Sequence, residues 1–318
     1  MNWKRKAKIQ NLIAALPNAL SYGAYYWVQR HFGGLKQSNP ISALEFGIDV
    51  WKRIKTQGFD PADKVFFEVG TGRTVDTPLA FWLMGADKTI TVDLNPYLKE
   101  ELVKESLCYI SDHKDEIMAL FGDCLCLNRW QSLIDLSQNP YNLRDVLQLC
   151  RIEYIAQGDA TDTRLPPGTI DFHTSINVFE HIPEHTIKAI LDEGNRILKN
   201  DGLFIHRIDY SDHFSHSDDS ISSINFLQFN EREWDGYAGN KYMYMNRLRE
   251  DDFVQLFQKS GHDILSIESD KDFDALKLVK TGQLQLDSRF QGKSDEVIST
   301  IASWMLTKKH ANTTPAES

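Results

Sequence analysis

The chain has 318 residues, 42% of them hydrophobic, and a formal net charge of −10. Its length and apolar share support a substantial core, built either as one large α/β domain with additions or as two domains. The negative balance argues against a nucleic-acid partner, which needs concentrated Lys and Arg, and with no apolar stretch of about eighteen residues a spanning helix is not expected.

In chain order, residues 1–60 read as helical. Ile9, Leu12, Ile13 and Leu16 follow a three-to-four spacing, Tyr22, Tyr25, Tyr26 and Trp27 crowd one segment, and Gly33-Gly34 closes a helix. A further helix runs from Pro40 or Ile41 to about Lys55, with Leu44, Ile48, Trp51 and Ile54 on one face and Gly58 beyond its end. We read this stretch as a helical N-terminal cap packed on a sheet and closing over a site. The competing reading uses the basic start, Lys4 to Lys8, and the aromatics to lie on a membrane surface, a peripheral association. Gln10, Asn11, Pro17 and Asn18 break the apolar run that a signal peptide would need, so a cytoplasmic location is expected.

The most informative stretch is Lys64-Val-Phe-Phe-Glu-Val-Gly-Thr-Gly-Arg-Thr-Val75. An apolar run enters the acidic Glu68 and then Gly70-Thr71-Gly72, the pattern of a buried strand ending in a tight turn. A second strand, Thr89 to Val92, ends in Asp93 about twenty residues on, the separation that a crossover helix requires. A dinucleotide fingerprint would place a third glycine at position 75, where this chain has Val75. Residues 95–150 exceed one crossover. Tyr97 to about Phe121 and Trp130 to Cys150 read as helices around a short loop, an insertion that either shapes a substrate pocket or forms a homodimer contact. All four cysteines, Cys108, Cys124, Cys126 and Cys150, fall in this region without a Cys-x-x-Cys pair, and we read them as ordinary thiols. Ile152 to Ile155 is a third strand, followed by Gly158-Asp159-Ala160. Gly168 to Ile182 supplies a fourth strand and the run Glu180-His181-Ile182, and Asn195 to Ile205 reads as a helix end, a turn at Gly202 and a fifth strand. Strands at His262 to Glu268 and Val297 to Leu306 close the sheet, with a frayed tail over 309–318.

Glu68-x-Gly70-x-Gly72 resembles the first motif of the class I S-adenosylmethionine-dependent methyltransferases, small-molecule type, and the later motifs follow in that family's order from Lys64 to Tyr210. The position of Thr74, which often holds a third small residue in the family, departs slightly. The resemblance implies a Rossmann-like α/β fold with a seven-stranded sheet, a methyltransferase domain over 61–308, and S-adenosyl-L-methionine as cofactor. It implies that Glu68, Gly70, Thr71 and Gly72 line the cofactor. Asp93 would bind the ribose hydroxyls, Asp159 would lie beside the adenine amino group, and Leu94, Ala160 and Asn177 would complete the cofactor-binding set.

The acceptor side is read from residues 209–250. This segment leaves a strand's carboxyl end and carries His213, His216, Trp234 and Tyr242 among polar and aromatic neighbours, a composition suited to a sugar or phenol. A methyl group on a sulfonium is already activated, so the protein must align an acceptor, and a base is needed only where a hydroxyl loses its proton. His213 is the preferred base and His181 the second candidate, with His216, Trp234 and Tyr242 holding substrate. His206, Asp209, His213 and His216 stand at the three-to-four spacing of a metal site on a helix, but a strand precedes them and the segment does not read as one continuous helix, so no metal is expected. The expected activity is O-methylation of a small polar acceptor, a sugar or secondary metabolite. N-methylation of a small amine and a non-catalytic or membrane-peripheral cofactor-binding role are the alternatives.

Overall fold

The computed structural model describes residues 1–36 and 39–310. It has thirteen α-helices and seven strands among the described residues. The strands form one mixed sheet in the order β3-β2-β1-β4-β5-β7-β6. β1 (Val65–Val69) lies between β2 (Lys88–Asp93) and β4 (Ile170–Ile176), parallel to both, and β2 pairs in parallel with β3 (Ile152–Ala156). Register sets Phe66 opposite Thr89 and Phe172, and Glu68 opposite Thr91 and Thr174. A central parallel strand is covered on both faces, which is why β1 is an almost continuous apolar run with one acid at the end facing the turn.

The chain divides into two compact units. One comprises residues 39–176, Ala189–Ile205 and 307–310; the other comprises residues 1–36, Asn177–Lys188 and His206–Leu306. The stretch 1–60, expected as a single cap, is thus divided: α1 (Trp3–Ala14) and α2 (Asn18–Phe32) belong to one unit and α3 (Ile41–Thr56) to the other.

Within the first unit, α3 buries Leu44, Ile48, Trp51 and Ile54 as its spacing requires. It lies close on α4 (Asp76–Leu83), because a Cβ added at Gly47 would come within 2.6 Å of the Ala80 Cβ. Phe66 is the centre of an aromatic stack, with ring centroids 4.3 Å from Phe81, 5.0 Å from Phe172 and 6.1 Å from Trp51. The expected insertion is helical but more divided than its periodicity suggests: α5 (Glu100–Asp112), α6 (Lys114–Phe121), α7 (Leu127–Ser137) and α8 (Leu143–Leu149). His113 breaks the first pair and the Asn142–Asp145 capping box starts the last helix. Its four cysteines are free thiols.

Gly202 makes no turn. After α9 (Glu184–Ile197), β5 (Leu198–Asp209) runs straight through it. A Cβ at Gly202 would stand 2.7 Å from the Asp171 carbonyl oxygen and 2.6 Å from the Leu198 Cγ, so glycine is needed for close approach rather than for chain reversal.

In the second unit, residues 210–249 hold α10 (Glu231–Ala238) and short turns rather than an open loop. Their aromatics, with Trp3 of α1, form a core in which Phe214, Phe226 and Trp234 are buried. α11 (Glu250–Lys259), β6 (His262–Lys271) and α12 (Phe273–Lys280) follow. The last strand begins later than expected, because Ser294 caps α13 (Asp295–Ser299), and β7 covers Thr300–Lys309. Lys309, expected to fray, is therefore in the sheet, and its Nζ donates to the carbonyls of Asn195 and Leu198. The rest of the expected tail, 311–318, lies outside the described residues.

Candidate active site

The cofactor motifs converge within the first unit. Gly70 and Gly72 have φ of +89° and +69°, left-handed backbone that suits glycine, and a Cβ at Gly72 would meet nothing within 4 Å. The Gly70 N–H donates to the Val92 carbonyl, tying the turn to β2. Asp93 holds the turn from the other side: one carboxylate oxygen accepts from the Gly72 N–H at 3.0 Å and the other from the Asn95 N–H at 2.9 Å. A carboxylate has about four lone-pair positions, so both oxygens can still accept from ribose hydroxyls. Burial raises the Asp93 carboxyl, and the two N–H bonds and Arg73 pull against that rise.

Glu68 is buried and accepts from the Thr91 hydroxyl at 2.6 Å; Thr71 and Thr91 hydroxyls lie 2.7 Å apart. Burial pushes its carboxyl up to about 8, with the Thr91 bond opposing and Asp93 reinforcing the shift. Leu94 is exposed at the end of β2 and Asp159 is exposed after β3, its carboxylate accepting from the Thr161 N–H and hydroxyl. Ala160 follows, half-buried. These residues fit the cofactor: glycines that let backbone approach, an acid beyond β2, an apolar edge at Leu94 and a second acid after β3. A separate cavity lined by Asp60, Lys64, Asp171 and Asp201 sits at the amino ends of β1 and β4, away from these motifs.

The histidine candidates converge within the second unit. His213 Nε2 lies 3.4 Å from an Asp209 carboxylate oxygen, without the geometry of a hydrogen bond. Its ring centroid is 4.9 Å from that of His181 and 5.1 Å from that of His216. Burial alone would raise the Asp209 carboxyl, but His213 and the Ser211 hydroxyl and N–H outweigh it and hold it at about 2. Asp209 is therefore ionised beside the ring at neutral pH. His181 Nδ1 donates to the Tyr244 carbonyl at 2.8 Å, which leaves Nε2 with its lone pair. Burial, helped by His213, lowers His181 to about 4. The Ser211 hydroxyl gives its proton to Asp209, so His216 Nε2 donates to Ser211 at 3.0 Å.

Glu180 is fully buried, and burial raises its pKa well above the carboxylate range, with the backbone N–H groups of Glu180 and Asp209 opposing the shift. Glu180, His181 and His213 each offer a donor atom within 4.8 Å of the others. Asn177, first residue after β4, has φ +53° and a buried side-chain oxygen without a hydrogen bond from a described residue.

Two expected substrate contacts are packing residues. Trp234 is 2% exposed among Trp3, Phe214, Phe226 and Phe229, because a large apolar ring on the inner face of α10 is better satisfied in a core than at a wet surface. Tyr242 stacks on Tyr25 at 4.0 Å and shares a hydrogen bond with Ser21, which fastens α2. His206 is buried in β5 against Phe179, and His173 is buried in β4. Two site residues, Thr91 and Ser211, were not anticipated, and Asp209 was considered only as a metal ligand. Thr91, alternating inward on β2, could have been paired with Glu68 from strand register, and Asp209-x-Ser211 carries the short-range signal of an Asx turn.

Residues 113–206 match the family model described as methyltransferase domain, about a third of the chain. A comparison with curated proteins found no match. Among solved structures, the chain is similar to geranyl diphosphate methyltransferase in complex with SAM, at 10% identity, covering 94% of this chain and 95% of that one with a TM-score of 0.45. It is also similar to a SAM-dependent methyltransferase from Methanosarcina mazei, at 12% identity, covering 80% and 96% with a TM-score of 0.44. The strand order, the Glu68-to-Gly72 turn and the Asp93 carboxylate are the features that the resemblance to the class I S-adenosylmethionine-dependent methyltransferases implies, and residues 113–206 match a methyltransferase domain.

Proposed function

We propose that the chain methylates a hydroxyl oxygen of a small polar acceptor, a sugar or a secondary metabolite. The observation that supports this most is the pairing of His213 with an ionised Asp209 inside a cluster of three imidazoles. A hydroxyl acceptor must lose a proton as its oxygen is alkylated, and an imidazole backed by a carboxylate is suited to receive it. S-adenosylmethionine, when bound, supplies a methyl group already activated by its sulfonium. The chain's own residues then have three tasks. Asp93 and the glycine turn orient the cofactor, His213 takes the acceptor's proton at a ring nitrogen, and Asp209 stabilises the imidazolium that results. An amine acceptor arriving neutral would need no such base.

The test is His213→Ala, assayed with labelled cofactor on panels of hydroxylated and amine acceptors. S-adenosylhomocysteine affinity should be unchanged while turnover on the hydroxyl acceptor falls on the order of 10²-fold, recovering in part as pH rises. Unimpaired turnover across that range would remove His213 from the reaction. A chelator arm separates a second reading: loss of wild-type activity in EDTA, restored by a divalent cation, would favour a metal held by Glu180, His181 and His213 over a free base.

A further inference from the structure

We propose that α1 and α2 form a docking face for an anionic lipid surface. Residues 1–44 contain six cations, Lys4, Arg5, Lys6, Lys8, Arg30 and Lys36, and the first acid in the sequence is Glu45, although the chain as a whole carries a net charge of −10. The same two helices and the turn between them hold six of the eleven large apolar side chains exposed among the described residues, Ile9, Leu12, Leu16, Leu20, Trp27 and Phe32, with Leu12 72% and Phe32 78% exposed.

The pattern has two sides. On α1, Trp3, Ala7 and Gln10 are buried, and the Trp3 ring packs 5.5 Å from Phe214 and 4.8 Å from Tyr237. That face is anchored. The opposite stripe, Arg5, Lys8, Ile9 and Leu12, sits at i, i+3, i+4 and i+7 and is exposed, so two cations and then two aliphatic side chains follow one another along one outward line. Lys4 is exposed beside them, and Trp27 and His31 stack at 4.5 Å on the exposed part of α2, an aromatic pair with a polar edge. A water-facing helix would carry polar residues there.

Charge chooses the occupant. A second copy of this chain would bring the same cations against themselves, whereas anionic headgroups neutralise them while the aliphatic tips enter the boundary with the acyl chains. Among the described residues no helix is long and apolar enough to cross a membrane, so the contact is peripheral. The inference does not rest on the acceptor assigned above.

The experiment is cosedimentation of the full chain with vesicles of phosphatidylcholine alone and of phosphatidylcholine mixed with phosphatidylglycerol, at low and high salt. The wild type should partition about tenfold or more in favour of the mixed vesicles, and salt should reduce that binding. Leu12→Asp combined with Leu20→Asp, and separately Arg5→Glu combined with Lys8→Glu, should each lower vesicle binding about tenfold. Unchanged melting and S-adenosylhomocysteine affinity would show that these variants fold. No wild-type binding, equal binding to both vesicle types, or binding unaffected in folded variants would each overturn the proposal. So would a dimer in sedimentation equilibrium that Leu12→Asp dissolves, since a second copy would then cover the face.

Discussion

Glu68 shows how one residue's surroundings set its chemistry. Its carboxyl is surrounded by β-sheet and one threonine hydroxyl, and burial lifts its pKa to about 8, so it is protonated in the folded, cofactor-free chain at neutral pH. In the unfolded chain the same group ionises near pH 4.3. Between those values the folded state holds a proton that the unfolded state has lost, so stability from this group is present at low pH and declines as pH rises toward 8. Glu68→Gln keeps the shape without the titration. Chemical denaturation of the cofactor-free chain at pH 5 and pH 8 should show a smaller loss of stability with rising pH in Glu68→Gln than in wild type. Equal slopes would mean that Glu68 is ionised in the fold.

Among the elements, α10 separates packing from recognition. The sequence 209–250 is rich in aromatics, and composition alone suits either a carbohydrate-binding wall or a core; the fold turns Trp234 inward onto Trp3 and Phe226. Trp234→Ala should therefore cost about 3–5 kcal/mol of stability in denaturant unfolding, as removal of a buried indole does. Acceptor KM should change only in proportion to loss of folded protein. A raised KM in a variant of undiminished stability would return Trp234 to the substrate side. Arg249 belongs to the same level of organisation: its fully buried guanidinium donates to the carbonyls of Tyr210, Ile298 and Thr300, and so fixes the approach to β7. Nothing in the local sequence Asn246-Arg-Leu-Arg249 distinguishes that arginine from a solvated one.

For the whole molecule, ligand preference follows from the sheet and its turns together. Val75 is buried at the start of α4, where a dinucleotide-binding turn would need a third glycine to admit the pyrophosphate. S-adenosylhomocysteine at about a hundred times its Kd should stabilise the fold by about 2.7 kcal/mol and raise Tm by several degrees, whereas NAD at the same concentration should not. The reverse ranking would contradict the cofactor assignment.

The sequence by itself determined the strand-turn-strand core. Val65 to Gly72 and Thr89 to Asp93 are local patterns, because buried parallel strands must be apolar and their turns must use glycine, and the structure keeps both within a residue or two. The α3 stripe Leu44, Ile48, Trp51 and Ile54 was legible for the same reason: periodicity records which face is covered. Tertiary structure alone decided the rest. Gly202 reads as a turn from its neighbours but lies in a strand, since the constraint on it is the Asp171 carbonyl far away in the chain. Trp234 and Tyr242 carry the same local signal whether they face ligand or core, and only the partners Trp3 and Tyr25, more than two hundred residues earlier, resolve it. His213 has its carboxylate, Asp209, at the end of β5 and its imidazole neighbour His181 from the turn after β4. The spacing of Asp209, His213 and His216 is visible in the sequence, but the approach of His181 exists only once distant segments are folded together.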